Sequence, residues 1–178
     1  VLETPDGALF ETAAILLWLA DGHGKMAPAV DHVDRGAFLK YLFFASNTLH
    51  VAARMRFYPT QYVGSDAAAC TALRRHLKDE LRRHLTLLEE AYASGTGGLG
   101  GALSVLDLYV ACICRWLMLY PEDEGKDWCQ ICNWPKLHEM AHRLEACACT
   151  TAAISAEGLG PSPFTNPVHP VPPEGRVM

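Results

Sequence analysis

Leu9-Phe10-Glu11-Thr12-Ala13-Ala14-Ile15 is the most informative stretch of this 178-residue chain. An apolar pair ends in an acid, and a hydroxyl residue then opens an apolar-periodic segment that closes at Asp21-Gly22. Thr12 reads as a helix N-cap, its side-chain oxygen accepting a backbone N–H of the first turn. The free N–H groups and positive dipole end of such a helix make a seat for a carboxylate. Glu11, just outside, can take the cation that accompanies that carboxylate in an α-amino acid. From local pattern alone, the pair is either a plain cap or a holder for both halves of an amino-acid zwitterion, and hence for a peptide-like ligand.

Upstream, Val1-Leu2-Glu3-Thr4, Pro5-Asp6-Gly7 and Ala8-Leu9-Phe10 read as strand, tight turn and strand. A hairpin feeding into a capped helix places Glu11 at the end of a sheet, within reach of ligands. The stretch Leu2 to Asp21, LETPDGALFETAAILLWLAD, resembles the second half of the thioredoxin-like domain of the glutathione S-transferase family. The resemblance puts Glu11-Thr12 on that family's Glu-Ser/Thr pair, which holds the γ-glutamyl end of glutathione.

Hydrophobic residues make up 50% of the chain and charged residues 20%, the balance of an ordinary globular protein whose length suffices for a buried core. A net charge of −5 without any basic run argues against nucleic acid or an anionic membrane as partner. The seven cysteines, an odd number in mostly apolar surroundings, suit reduced thiols and a cytoplasmic location. Val105 to Tyr120 is too short for a membrane span and is interrupted by Asp107 and Arg115, so it reads as a buried helix. The chain starts at Val1 in mid-strand and reads as a copy lacking the N-terminal part of its first domain.

Past a linker from Gly22 to about His32, a long helix is expected from Asp34 to Arg56, with Phe38, Leu42, Ala45, Leu49 and Ala52 on one stripe. Pro59 stops it. A second long helix is expected from about Ser65 to Tyr92, its charged face (Arg74, Arg75, Lys78, Asp79, Arg82, Arg83, Glu89, Glu90) reading as solvated and paired. Gly95, Gly97 and Gly100 spell a literal G-x-G-x-x-G. A helix rather than a strand precedes them, so the loop reads as a flexible joint and not a phosphate cradle. Ser104 and Asp107 form a capping box flanked by the staple pair Leu103 and Leu108, heading a helix that is apolar on nearly all sides. The glutathione S-transferases are similar here too, with an S/T-x-x-D box at the start of a central buried helix. Their frequent P-x-L helix start followed by an arginine is matched by Pro135, Leu137 and Arg143 in a helix expected to run to about Cys149. Six prolines follow Gly158, so that tail reads as extended or disordered.

Cys129, Cys132, His138 and His142 could in principle hold zinc, but the five-residue gap between Cys132 and His138 is short for such a site, and packed or idle thiols are favoured. His50 is either a helix-end histidine or, as the resemblance implies, a neighbour of the glutathione thiol; Met55 and Tyr58 would then line an apolar co-substrate pocket. The family places its catalytic Ser, Tyr or Cys at the end of a first strand, and no residue here matches that position. The expectation is therefore a mainly α protein. Residues 1–24 form a partial thioredoxin-like hairpin plus helix, 33–158 an all-helical bundle, and 159–178 a proline-rich tail. By resemblance the chain binds glutathione through Glu11 and Thr12, transfers its thiolate to a small electrophile without a metal, and forms a homodimer through the first long helix. A non-catalytic binding module on the same fold and a zinc-stabilised helical domain are the alternatives.

Overall fold

The computed structural model describes residues 1–171. β1 (Leu2–Thr4) and β2 (Gly7–Leu9) form an antiparallel hairpin in the register Leu2–Leu9, Glu3–Ala8 and Thr4–Gly7. The Thr4 hydroxyl closes its turn by donating to the Gly7 carbonyl at 2.7 Å. Two residues, Phe10 and Glu11, separate β2 from α1 (Thr12–His23).

The expected long helix is continuous but not uniform. α2 (Arg35–Phe44) passes into a π-helical turn, Ala45–Leu49, and then into α3 (His50–Phe57). Such a wide turn re-phases the side chains that follow it and recurs at functional sites. All five stripe residues (Phe38, Leu42, Ala45, Leu49 and Ala52) are buried. A short α4 (Thr60–Val63) leads to α5 (Ala67–Ser94), which Asp66 caps by accepting from the amides of Ala68 and Ala69 at 2.8 and 3.3 Å.

Central to the bundle is α6 (Val105–Leu119), packed against α1, α2, the π turn, α3 and α7 (Pro135–Glu145). Leu106, Val110, Ile113 and Leu117 on it are fully buried. Each such aliphatic side chain contributes about 1.5–3 kcal/mol through removal from water. α7 ends at Glu145, short of Cys149, and α8 (Ala148–Glu157) follows after a break.

Three expectations need correction. The glycine loop is not a joint that flexes. Gly97 is buried at φ +67°, and a Cβ there would meet the Phe38 amide nitrogen at 2.9 Å and Ala37 at 3.0 Å. Left-handed strain added to overpacking should make Gly97→Ala cost about 2–4 kcal/mol, read as a lower urea midpoint. A cost below about 0.5 kcal/mol would mean that the loop is loose after all.

The charged face of α5 is only partly solvated. Lys78 and Arg82 lean over the buried Trp128 ring at 5.8 Å each, and Arg56, itself buried, stacks on it at 4.9 Å. Arg56 and Arg74 both reach Glu124, the latter at 3.3 Å. Periodicity could not show this, because the partners lie about 50 residues away on another element.

The tail is irregular yet docked as far as Val171. Arg115, buried in the apolar wall of α6, donates to the carbonyls of Pro163 and Val168 at 3.1 and 3.0 Å. Glu145 accepts the amides of Phe164 and Thr165 at 2.8 Å each, and the Phe164 ring is buried. A charge that looked out of place in α6 is thus the anchor of this segment. The remainder of the proline-rich tail, 172–178, lies outside the described residues.

Candidate functional site

Where the hairpin meets the bundle, Glu11 occupies the N-cap position of α1 with φ 70° and ψ 115°. A positive φ is strained for a residue with a β-carbon, by about 1–3 kcal/mol, and such strain gathers at ligand sites. Thr12 is accordingly the first helical residue and not the cap. The turn out of β2 needs the unusual backbone one residue earlier than the side-chain pattern suggested. No side chain caps α1, and the first amide with a helical backbone partner is that of Ile15, bonded to the Glu11 carbonyl at 3.0 Å. The amides of Thr12, Ala13 and Ala14 therefore open the helix as orphan donors at its positive end. Glu11 and Thr12 are both exposed.

Beneath this helix start lies a polar node enclosed by the bundle. His50 Nδ1 is 2.8 Å from the Tyr109 hydroxyl, with the two rings edge to face at 5.7 Å, while Trp116 lies 5.5 Å from the imidazole on its other side. The side chains of Ser46 and Thr12 lie beside the same phenol, and Glu11 is close enough for its charge to act on it. Burial, the largest effect, raises the Tyr109 pKa above its usual 10; the Glu11 charge raises it further, and the two hydroxyls oppose them. Burial and then the neighbouring Arg54 hold His50 below 6.5, so the imidazole is neutral at pH 7. The π turn puts Ser46 and His50 onto one phenol.

The node is held in place at both ends. Arg35 grips Asp21 with two parallel bonds of 2.8 and 2.7 Å and also donates to the Pro28 carbonyl at 2.8 Å, tying the end of α1 to the start of α2. At the start of α6, the Ser104–Asp107 capping box is complete, and the Val105 amide donates to the Met26 carbonyl of the linker at 2.8 Å. Leu103 and Leu108, the staple pair, pack against the core from partly buried positions.

The structure thus brings Glu11, Thr12 and His50 around one point. It adds Tyr109, Ser46 and Trp116, which the sequence reading had not singled out for the site. A lone phenol two residues past the Asp107 box, on an otherwise apolar face, was the available signal. Met55 packs against the bundle core, and Tyr58 lies just past the end of α3 with its ring on Phe57 at 6.5 Å. At 1.5 Å per residue, Tyr58 is about 12 Å along the helix axis from His50. The four zinc candidates are dispersed. Cys129 is buried and donates to the Leu117 carbonyl at 3.0 Å, Cys132 is exposed, and the His138 and His142 rings touch each other at 4.6 Å. Among the described residues no three His, Cys, Asp or Glu side chains are grouped to hold a metal ion, and no helix is long and apolar enough to cross a membrane.

A neutral, half-buried histidine gives a signed pH dependence. With the folded pKa depressed, the unfolded chain binds more protons below 6.5, so stability is full above that value and is lost as pH falls toward the folded pKa. His84, also depressed chiefly by burial, adds in the same direction. Urea midpoints should therefore drop between pH 7 and pH 5, and His50→Gln should flatten the slope. An unchanged slope in the variant would deny the imidazole its half-buried, neutral state.

Comparisons with known proteins bear on the fold. Residues 71–139 match the family model described as glutathione S-transferase, C-terminal domain. No curated protein matches the chain. Among solved structures, a sphingomonad glutathione S-transferase complexed with glutathione is 28% identical, covering 89% of this chain and 73% of its own at a TM-score of 0.65. The beta-class glutathione S-transferase of the bacterium Sphingomonas chungbukensis is 26% identical, covering 87% and 71% at a TM-score of 0.63. BphK, a bacterial enzyme of the same kind solved as a ternary complex, is 25% identical, covering 87% and 72% at 0.67.

Proposed function

Given that the chain belongs to the glutathione S-transferase family, we propose that it binds glutathione by its γ-glutamyl end where α1 begins and presents the thiol to a small electrophile. The observation that carries this reading is the helix start itself. Three amides without a helical partner open α1 beside a strained, exposed carboxylate, in a fold shared with a transferase solved with glutathione bound. The γ-glutamyl carboxylate would accept from the amides of Thr12 to Ala14, and the Glu11 carboxylate would accept from the ammonium. His50 lies under the same helix start and is the group placed to meet the thiol. Met55 and Tyr58, further along α3, would border the co-substrate.

A homodimer fits the same reading. Phe43 and Val51, on the outer side of the first long helix, are 51% and 38% exposed. Phe43→Asp should leave the monomer folded and shift the sedimentation coefficient to the monomer value. A reducing compartment such as the cytoplasm suits its seven cysteine thiols.

Calorimetric titration with glutathione tests binding. Conjugation of glutathione to a chromogenic aryl halide tests transfer. Heat without conjugation would favour the second reading, a binding module, which the two-stranded sheet of the described residues supports. Neither heat nor conjugation would reject the proposal.

A further inference from the structure

Tyr109 has one hydroxyl proton and two lone pairs to place, and at 4% exposure it must place them on protein groups. Its neighbours are His50 Nδ1 at 2.8 Å and the hydroxyls of Ser46 and Thr12. Phenol is the stronger acid and the imidazole nitrogen the stronger base, so in this contact the phenol donates its single proton to Nδ1. An imidazole that accepts at Nδ1 and is neutral carries its own proton on Nε2.

We propose that Tyr109 is a positioning residue that fixes His50 in its Nε2–H form, so that the ring offers a hydrogen-bond donor to the sulfur of a bound glutathione. The inference rests on the reading that α1 begins at the γ-glutamyl seat. Thr12 lies beside both, because its backbone N–H opens the helix while its side chain neighbours the phenol. The charged and titratable groups acting on this pair are Arg54 from α3, Tyr109 from α6 and, at the start of α1, Glu11. Trp116 walls the opposite face of the imidazole without offering a proton acceptor.

The direct test is the ¹⁵N spectrum of the histidine side chains in the 178-residue chain near pH 7, read through long-range couplings to the ring protons. The expected result for His50 is a bare, hydrogen-bonded Nδ1 and a protonated Nε2, with Y109F relaxing the ring to a mixture of the two forms. A wild-type ring protonated on Nδ1 overturns the proposal, as does an unchanged form in a folded Y109F. Because the wild-type spectrum alone can decide, a variant that fails to fold does not rescue the idea. In the conjugation assay, Y109F should lower kcat about tenfold and leave KM within about twofold, since the lost effect acts at the sulfur and not at the seat. A raised KM with kcat intact would also overturn it. Glutathione calorimetry separates the two readings: absence of binding with an Nε2–H ring removes the seat and keeps the Tyr109 assignment, whereas binding with an Nδ1–H ring does the reverse.

Discussion

Asp107→Ala should lower the stability of the folded chain by about 3–5 kcal/mol, a large part of the 5–15 kcal/mol typical of a domain. The carboxylate is 3% exposed and serves three donors. Oδ2 accepts the Ser104 amide at 2.6 Å and the Ser104 hydroxyl at 2.5 Å, and Oδ1 accepts the Tyr92 hydroxyl at 2.7 Å. Losing the capping box costs about 1 kcal/mol, and losing a charge from the positive end of α6 about 0.3–1. Stranding the buried Tyr92 hydroxyl adds about 1–3 kcal/mol. The effect is amplified by position, because α6 packs against α1, α2, α3 and α7 and its first amide also holds the linker at Met26. Asp107→Asn, which keeps an acceptor for Tyr92 but turns an NH2 toward the Ser104 donor, should fall between the two. A urea midpoint for Asp107→Ala that implies less than about 1 kcal/mol would mean the box is ornamental.

Much of this was legible from residues near one another in the chain. The capping box needed only the spacing of Ser104 and Asp107, the hairpin only Pro5-Asp6-Gly7 between apolar strands, and the bundle only the stripes on α2 and α5. Boundaries held where a cap marks them: Asp66 ahead of α5 and Pro135 inside α7. What local pattern could not reach was set by distant partners. The π turn leaves the i, i+3, i+4 periodicity of Phe38 to Ala52 intact, so nothing in the stripe betrays the extra residue that aims Ser46 and His50 at Tyr109. The backbone of Glu11, which moves the helix start past Thr12, is fixed by the exit from β2 and not by side-chain preference. Docking of Pro163 to Val168 depends on Arg115, which the sequence offered only as an interruption of a membrane span, and on Glu145, which it did not single out. At the candidate site, the sequence singled out Glu11, Thr12 and His50; the phenol bonded to His50 lay hidden in an apolar helix.

The second large effect concerns affinity, not stability. Glu11→Ala should weaken glutathione binding about 10- to 100-fold, the range of one charge-assisted bond lost from a ligand that needs it. Stability should change by less than about 0.5 kcal/mol, because the Glu11 side chain caps nothing and alanine inherits the same backbone strain. Glu11→Gln keeps the shape and removes the charge, so it should lose most of the same affinity. The pairing of a large affinity loss with unmoved stability separates a ligand-gripping acid from a structural one. Affinity within twofold of the original would remove Glu11 from the site.

The proposed function centres on one contact, between the γ-glutamyl carboxylate of glutathione and the first amides of α1. Titrating the ¹⁵N-labelled chain with glutathione reads that contact residue by residue. The account predicts that the Thr12, Ala13 and Ala14 amide resonances move most and saturate together, while the dipeptide Cys-Gly, which lacks the γ-glutamyl group, leaves them in place. Shifts centred on other residues, or equal shifts with Cys-Gly, would contradict it.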